Sequence, residues 1–301
     1  MSLRRLGTTL GTLTLGLALV ASAPSAADGP IDPGPLDPVI ELLAPLPVPH
    51  TPYSGKPCTQ GSDRCIDRTI RRMKKRLRVL ASSCQHDAVF SMAYLRVTQD
   101  VRRAVRANHF SDPVWLNQVD AVFADLYFDV MDDWHAGRRG QVPQAWQIAL
   151  RAEDDREMSG LGNFLLAMNA HINRDFSYVL ARVGLTAADG RSHKRDHNAY
   201  NSRLDALYAP VFEEEARRFD PTFDDYDVGP VEETVAGVII RGWREGVWRN
   251  AEHLVLARTP TQRRLAEQLI EQYAASQARL IRATFASPDS SARDAWCATH
   301  G

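Results

Sequence analysis

From residue 62 onward, apolar residues recur at spacings of three and four, the signature of amphipathic helices. Ile66, Ile70, Met73 and Leu77 form one stripe over 63–80, a segment that Asp63 can cap. Val89, Met92, Ala93, Val97, Val101 and Val105 mark a second helix over 86–108. Asp112-Pro113 predicts the start of a third, with proline at the first helical position, running to about residue 134. Segments 144–152, 161–183, 197–219, 231–257 and 261–286 carry the same periodicity, with Pro260 breaking the last two apart. The stretches 137–143, 184–196 and 220–230 are polar and read as loops. No alternating strand pattern and no internal repeat is present. The pattern predicts an all-α fold, a single compact domain of about seven or eight helices over 62–301.

The start of the chain departs from this periodicity. Arg4 and Arg5 precede a short apolar run over 10–20, and 21–27 is dominated by small residues. This reads as a secretory signal peptide over 1–27 rather than a membrane span, for which the run is too short. Residues 28–61 hold Pro30, Pro33, Pro35, Pro38, Pro45, Pro47, Pro49, Pro52 and Pro57. Such a segment is expected to be an extended, proline-rich linker with few packed contacts. No later segment is apolar enough to cross a bilayer, so the mature protein is expected to be secreted or held at the cell surface, outside the cytoplasm.

About 270 residues remain after cleavage, enough to bury a large core. The net charge of −1 gives no electrostatic case for nucleic acid as a partner. The basic run over 68–78 lacks interleaved aromatics and reads as a solvated helix face. Cys58, Cys65, Cys84 and Cys297 make an even set, which in an exported protein suggests two disulfides. The helix expected between Cys65 and Cys84 would hold them roughly 20–28 Å apart. A disulfide needs Cα atoms within about 7 Å, which excludes that pair and with it Cys58–Cys297. Of the two connectivities left, Cys58–Cys65 with Cys84–Cys297 is favoured because it closes a small glycine-containing loop. The spacing lacks a close cysteine pair of the kind that binds zinc.

Candidate chemistry concentrates in Met168-Asn169-Ala170-His171-Ile172-Asn173-Arg174-Asp175. His171 and Asp175 share one helical face, where they could ligate a divalent metal such as zinc. The plainer reading is a core histidine oriented by its own aspartate. His193 and His197 are also four apart, near Asp196, Tyr200 and Asn201, and with the first pair could complete a three- or four-ligand site. His86, beside Asp87, is a further ligand or base. Asp120 lies between Leu116, Phe123 and Tyr127 on its helix and is expected to face inward, in a salt bridge, as a ligand or as a general base. The stretch 243–253 offers Trp243, Val247, Asn250 and His253 near one stripe, either core or an aromatic wall. There is no Gly-x-Ser-x-Gly elbow, no phosphate loop, no dinucleotide fingerprint and no His-Glu-x-x-His.

These segments carry a resemblance. Together with 119–127 and His197-Asn198-Ala199-Tyr200-Asn201, the Met-Asn-Ala-His-Ile-Asn-Arg-Asp string resembles bacterial helical proteins grouped as a DUF5995-type domain of unknown function, over roughly 66–286. That resemblance implies the fold and no activity. The order His171/Asp175 then His193/His197 is also similar to zinc-dependent phospholipase C and P1-type nucleases. Those proteins use their own N-terminal residue as a ligand, where this chain has a proline-rich linker, and a last His-x-x-x-Glu/Asp pair is not evident.

The expected function is an exported, metal-dependent hydrolase, acting on phosphoester bonds, with His171, Asp175, His193 and His197 around the metal and Asp120 and His86 in catalytic roles. The alternative is a non-catalytic helical domain that binds a small molecule or a cell-envelope component, in which the His/Asn/Asp residues form a structural buried network.

Overall fold

The helices follow the apolar periodicity. The computed structural model describes residues 43–223, 230–287 and 289–301, with backbone alone over 230–236. The expected signal peptide, residues 28–42 of the proline-rich segment and 224–229 of the expected 220–230 loop lie outside the described residues. The elements are α1 (Asp63–Ser82), α2 (Ala88–Arg106), α3 (Pro113–His135), α4 (Gln144–Asp154), α5 (Gly160–Asn169), α6 (Ser177–Val183), α7 (Lys194–Ala199), α8 (Asn201–Arg218), α9 (Pro230–Leu256), α10 (Pro260–Thr284) and α11 (Ser291–His300). A π-helical turn, Ala170–Phe176, joins α5 to α6, and a 3-10 turn, Arg139–Gln141, follows α3. No strand forms among the described residues, which carry two isolated β-bridges. None of the described helices is long and apolar enough to cross a membrane.

Several boundaries have direct chemical causes. Asp112 accepts the Trp115 N–H at 2.9 Å, and Pro113 occupies the first turn of α3, as its sequence predicts. Thr259 and Gln262 form a reciprocal capping box that starts α10 at Pro260. Asp63 differs from expectation. It lies in the first turn of α1 and pairs with Arg102 at 2.7 Å instead of capping its own helix. The predicted helix over 197–219 is divided at Tyr200, and α11 was not signalled by the apolar pattern, because much of it is polar.

Among the described residues, two large apolar clusters and a small one around Cys65, Ile66 and Ala121 form the core. One large cluster gathers Phe90, Tyr127, Trp146, Leu150 and Phe164 from α2 to α5. The other large cluster gathers Trp115, Val119, Phe176, Val179, Tyr200 and Trp248 from α3, α6, α9 and the α7–α8 junction. α9 packs against both the π turn and α6, and α10 packs against α4, α5 and the π turn. The basic run on α1 is a solvated face, as expected: Arg72 bridges to Asp125 and Asp132 and lies 3.9 Å over the Phe128 ring.

The described part of the proline-rich segment makes more contacts than expected. Val48 is buried in the second cluster, and its carbonyl accepts from Thr186 at 2.7 Å. Glu252 receives the Leu46 N–H at 2.8 Å, while Arg249 donates to the Ala44 and Leu43 carbonyls. An extended chain leaves its backbone groups unpaired, so side chains of α9 can hold it against the body. Gly61 closes this strap at φ +56, where a Cβ would lie 2.5 Å from the Val114 side chain and carbonyl.

The disulfides have the favoured connectivity. Cys58–Cys65 has a Cα separation of 5.5 Å and Cys84–Cys297 one of 5.8 Å. The second bridge ties α11 to the end of α1. Because it closes a span of 213 residues against 7, the chain-entropy argument ranks it higher. Replacing Cys84 and Cys297 by serine should lower the unfolding free energy in urea by about 5 kcal/mol, roughly twice the loss from the Cys58/Cys65 double variant. The reverse ranking would refute the role of the longer bridge.

Candidate functional site

The π turn organises the centre of the molecule. Its residues His171, Asn173 and Asp175 are all buried, in a type of turn that interrupts an α-helix and recurs at functional sites. Asn173 donates to the Asn169 side chain at 2.9 Å, and Asn169 donates to the Ala274 carbonyl of α10 at 2.9 Å. Arg174 reaches Glu271 of α10 at 2.8 Å. One face of this string is thus a clamp on α10, and the other carries His171 and Asp175.

Asp175 is fully buried, and its two oxygens are divided among three donors. Trp146 Nε1 donates to Oδ2 at 2.7 Å, Arg174 donates to Oδ1 at 2.6 Å, and His171 Nδ1 lies 3.3 Å from Oδ2. Burial pushes the carboxyl up, but the His171 hydrogen bond and the Arg174 guanidinium together hold it below the usual carboxylate range. An ionised carboxylate only accepts, so His171 presents its proton on Nδ1 and keeps Nε2 as an acceptor. Burial holds the imidazole neutral, against the pull of Asp175. The ring stacks on Phe123, with centroids 3.5 Å apart, and meets the Tyr94 edge at 4.4 Å.

His171 lines a cavity at the seam between the two core clusters. The walls are mainly aromatic and aliphatic, with Phe90, Tyr94 and Phe164 from the first cluster and Trp115, Phe176 and Tyr200 from the second. The cavity is open to solvent on one side, and the surface it exposes is almost entirely apolar, the composition of small-molecule sites. Polar residues interrupt the wall at Tyr94, Asp120, His171, Asp196, His197 and Arg244. The Tyr94 hydroxyl, Asp120 Oδ2, His171 Nε2 and His197 Nδ1 are shut from solvent and pair with no protein group among the described residues. Other unpaired buried atoms lie away from the cavity, at Tyr127, Glu153 and Glu215, and what sets these four apart is that their residues line one space.

Asp120 faces inward, as its helix position predicts, but the expected salt bridge does not form. Arg174, a possible partner, is taken by Asp175 and Glu271. Burial alone raises the Asp120 carboxyl to about 8, so it is protonated at neutral pH and can donate. It also helps push the Tyr94 hydroxyl up, after burial itself.

Of the other predicted residues, His197 joins His171 and Asp120 on the cavity wall, and His86 and His193 lie elsewhere. His197 donates from Nε2 to the Arg244 carbonyl at 3.1 Å, which leaves Nδ1 as an acceptor; burial, then Arg244, lowers its pKa well below the ordinary value. Asp196, in place of capping its own helix, accepts the Ser111 and Asp112 N–H groups at 2.9 and 2.7 Å ahead of α3. His193 stacks on Trp115 at 4.5 Å and is not among the cavity-lining residues. His86 is held by α11, with Nε2 2.8 Å from Asp294 and Nδ1 3.1 Å from Arg293. Burial, then Arg293, lowers its pKa to about 4. Asp175 also lies outside the lining set. Among the described residues, no group of three or more His, Cys, Asp or Glu side chains is placed to hold a metal ion. The residues therefore do not fit a zinc centre of three protein ligands.

Arg244 is the residue that the sequence reading passed over. Within 243–253, the inward face is Arg244, Val247, Trp248, Ala251 and Glu252, whereas His253 is exposed. The signal was the spacing of 244, 248 and 251, which puts the arginine on the same face as the apolar residues.

A family model described as a family of unknown function (DUF5995) matches residues 66–284, and the chain belongs to that family. No curated protein and no solved structure matches the chain.

Two pH dependences follow from these environments. The Asp120 carboxyl titrates higher folded than unfolded, so its contribution is fully present below the unfolded value near 4 and is lost as pH rises to about 8. Asp120→Asn cannot ionise. Its melting temperature should equal the wild type near pH 4 and exceed it by roughly 10 °C or more at pH 8. A constant offset across that range would contradict a buried, raised carboxyl. His86 has the opposite sign. Its folded pKa of about 4 lies below the unfolded value, so stability is present above about pH 6.5 and is lost as pH falls toward 4. In urea titrations His86→Asn should flatten the loss of stability over that interval, and an unchanged slope would show that His86 does not contribute.

Proposed function

For this DUF5995 family member we propose the function of an extracytoplasmic, non-catalytic binding domain for a small, largely apolar molecule. The observation that carries this reading is the aromatic cavity at the seam of the core, with four unpaired polar atoms on residues of its wall. Small-molecule sites have this composition: extensive apolar lining with a few polar groups that fix orientation. The wall offers both kinds of group. His171 Nε2 and His197 Nδ1 accept, while the protonated Asp120 and the Tyr94 hydroxyl can donate.

An extracytoplasmic location is supported by the two disulfides and by the signal-like start of the chain. The fixed network around Asp175 supports a rigid wall over a mobile one. His171 is oriented by a carboxylate that is itself held by Trp146 and Arg174. A metal-dependent hydrolase built on His171, Asp175, His193 and His197 would need at least three of them at one point, and no such group occurs among the described residues.

N-phenyl-1-naphthylamine, an uncharged apolar fluorophore, probes the cavity directly. It should bind the mature protein at one site. Ala93→Phe, which places a ring in the cavity wall, should weaken that binding by about tenfold or more while the protein remains folded by thermal melting. Absence of saturable binding would overturn the proposal. So would near-stoichiometric divalent metal in the mature protein that is lost in a folded His171→Ala/Asp175→Ala variant, which would favour the hydrolase.

A further inference from the structure

Among the described residues, the buried cations have carboxylate partners, with one exception at the cavity. Arg241 pairs with Asp205, Lys194 with Glu245 at 2.8 Å, and Arg102 with Asp63 at 2.7 Å and Asp67 at 3.0 Å. Arg293 lies 3.9 Å from Asp220. Arg244 is as buried as these, yet no carboxylate lies within ion-pair distance of it among the described residues. Its Nε donates to the Asn201 side chain at 2.6 Å and its Nη2 to the His197 carbonyl, both neutral acceptors. The guanidinium carbon lies 5.5 Å from the Phe176 ring centroid and 6.0 Å from that of Tyr200.

A buried charge is costly without a counter-charge, and an arginine stays protonated under almost all conditions. Burial lowers Arg244 only to about 10, which leaves it a cation at neutral pH. Asp120, the cavity carboxyl without a partner, does not neutralise it. Burial alone governs the Asp120 carboxyl, with no contribution from Arg244. Asp196 is occupied by the Ser111 and Asp112 amides. The positive charge in the wall therefore has no fixed negative partner, and the anion can come from a ligand. The donor supply points to a small monoanion. There is one guanidinium with two of its N–H directions already used; its single charge balances a carboxylate, whereas a dianionic phosphate would leave one negative charge buried without a partner.

We infer that the cavity selects an amphipathic monocarboxylate, with its carboxylate on Arg244 and its apolar body along the aromatic walls of Tyr94, Phe123 and Phe164. This rests on the binding function proposed above and adds the chemistry of the ligand's head. His197 and Asn201 act as positioning residues, because they fix the guanidinium plane through neutral oxygens and leave its charge unspent.

Dodecanoate and 1-dodecanol, matched in chain and differing in head, separate the two levels of the argument in competition against N-phenyl-1-naphthylamine. Dodecanoate should displace the fluorophore at about tenfold lower concentration or better, the effect of a charged hydrogen bond in a desolvated site. Arg244→Met should erase that preference while the fluorophore still binds, and Arg244→Lys should retain part of it. Equal displacement of a bound fluorophore by the two competitors in the wild type would overturn the carboxylate inference and leave the apolar site standing. Failure of the fluorophore to bind would overturn both. If Arg244→Met does not fold, the wild-type selectivity and Arg244→Lys still decide the matter.

Discussion

The buried carboxylate of Asp175 is the constraint on which the centre of this molecule depends. An ionised carboxyl with no exposure is tolerated only where its oxygens are saturated and its charge is balanced. Trp146 from α4, Arg174 from the π turn and the His171 ring meet that requirement together. Satisfying one group thus fixes the position of α4 against the π turn and the tautomer of His171. It also sets the aromatic ring that stacks on His171. Arg174, drawn to Asp175, spans to Glu271 and fastens α10 on the opposite side.

The same economy of charge runs through the rest of the core and makes its exceptions informative. Most buried ions form pairs between helices, so each pair also fixes a crossing: Arg241 with Asp205 joins α9 to α8, and Lys194 with Glu245 joins α7 to α9. Glu153 and Glu215 are buried without an ion pair elsewhere among the described residues, and the cavity wall carries both signs, an unpaired carboxyl at Asp120 and an unpaired guanidinium at Arg244. Neither neutralises the other. A seam between two core clusters that carries both an apolar surface and unspent polar capacity is organised for a guest rather than for packing alone.

Much of the fold was legible in the chain. The three-and-four spacing of apolar residues located α1, α2, α3, α9 and α10, and Asp112-Pro113 placed the start of α3 where it occurs. The length of a helix excluded one cysteine pairing, and a small glycine-containing loop favoured the observed one of the two left. The reading was weaker where local and tertiary demands differ. A π turn has no distinct residue signature, so 161–183 read as one unbroken helix. α11 carries few apolar residues, and it is held by the Cys84–Cys297 bridge and by Arg293, which reaches Asn163 and His86. The strap over 43–61 has the composition of a free linker, and its contacts come from side chains far along the chain, on α3, on α6, at Thr186 and on α9.

For the site, the sequence alone determined which residues would be interior. Helical periodicity is a local property, and it placed Asp120, His171 and Asp175 on inward faces. It also fixed the covalent frame and the all-helical class. Only the tertiary structure decided what those residues meet. Partner choice depends on groups brought together from distant segments: Asp175 meets Trp146 from 29 residues away, and Arg244 meets His197 and Asn201 across 47 and 43. No spacing rule within one helix encodes such contacts. That is why the four expected ligands read as one centre in the chain while only His171 and His197 of them line the cavity, and why an arginine that reads as an ordinary helix residue becomes the unpaired charge of a cavity wall.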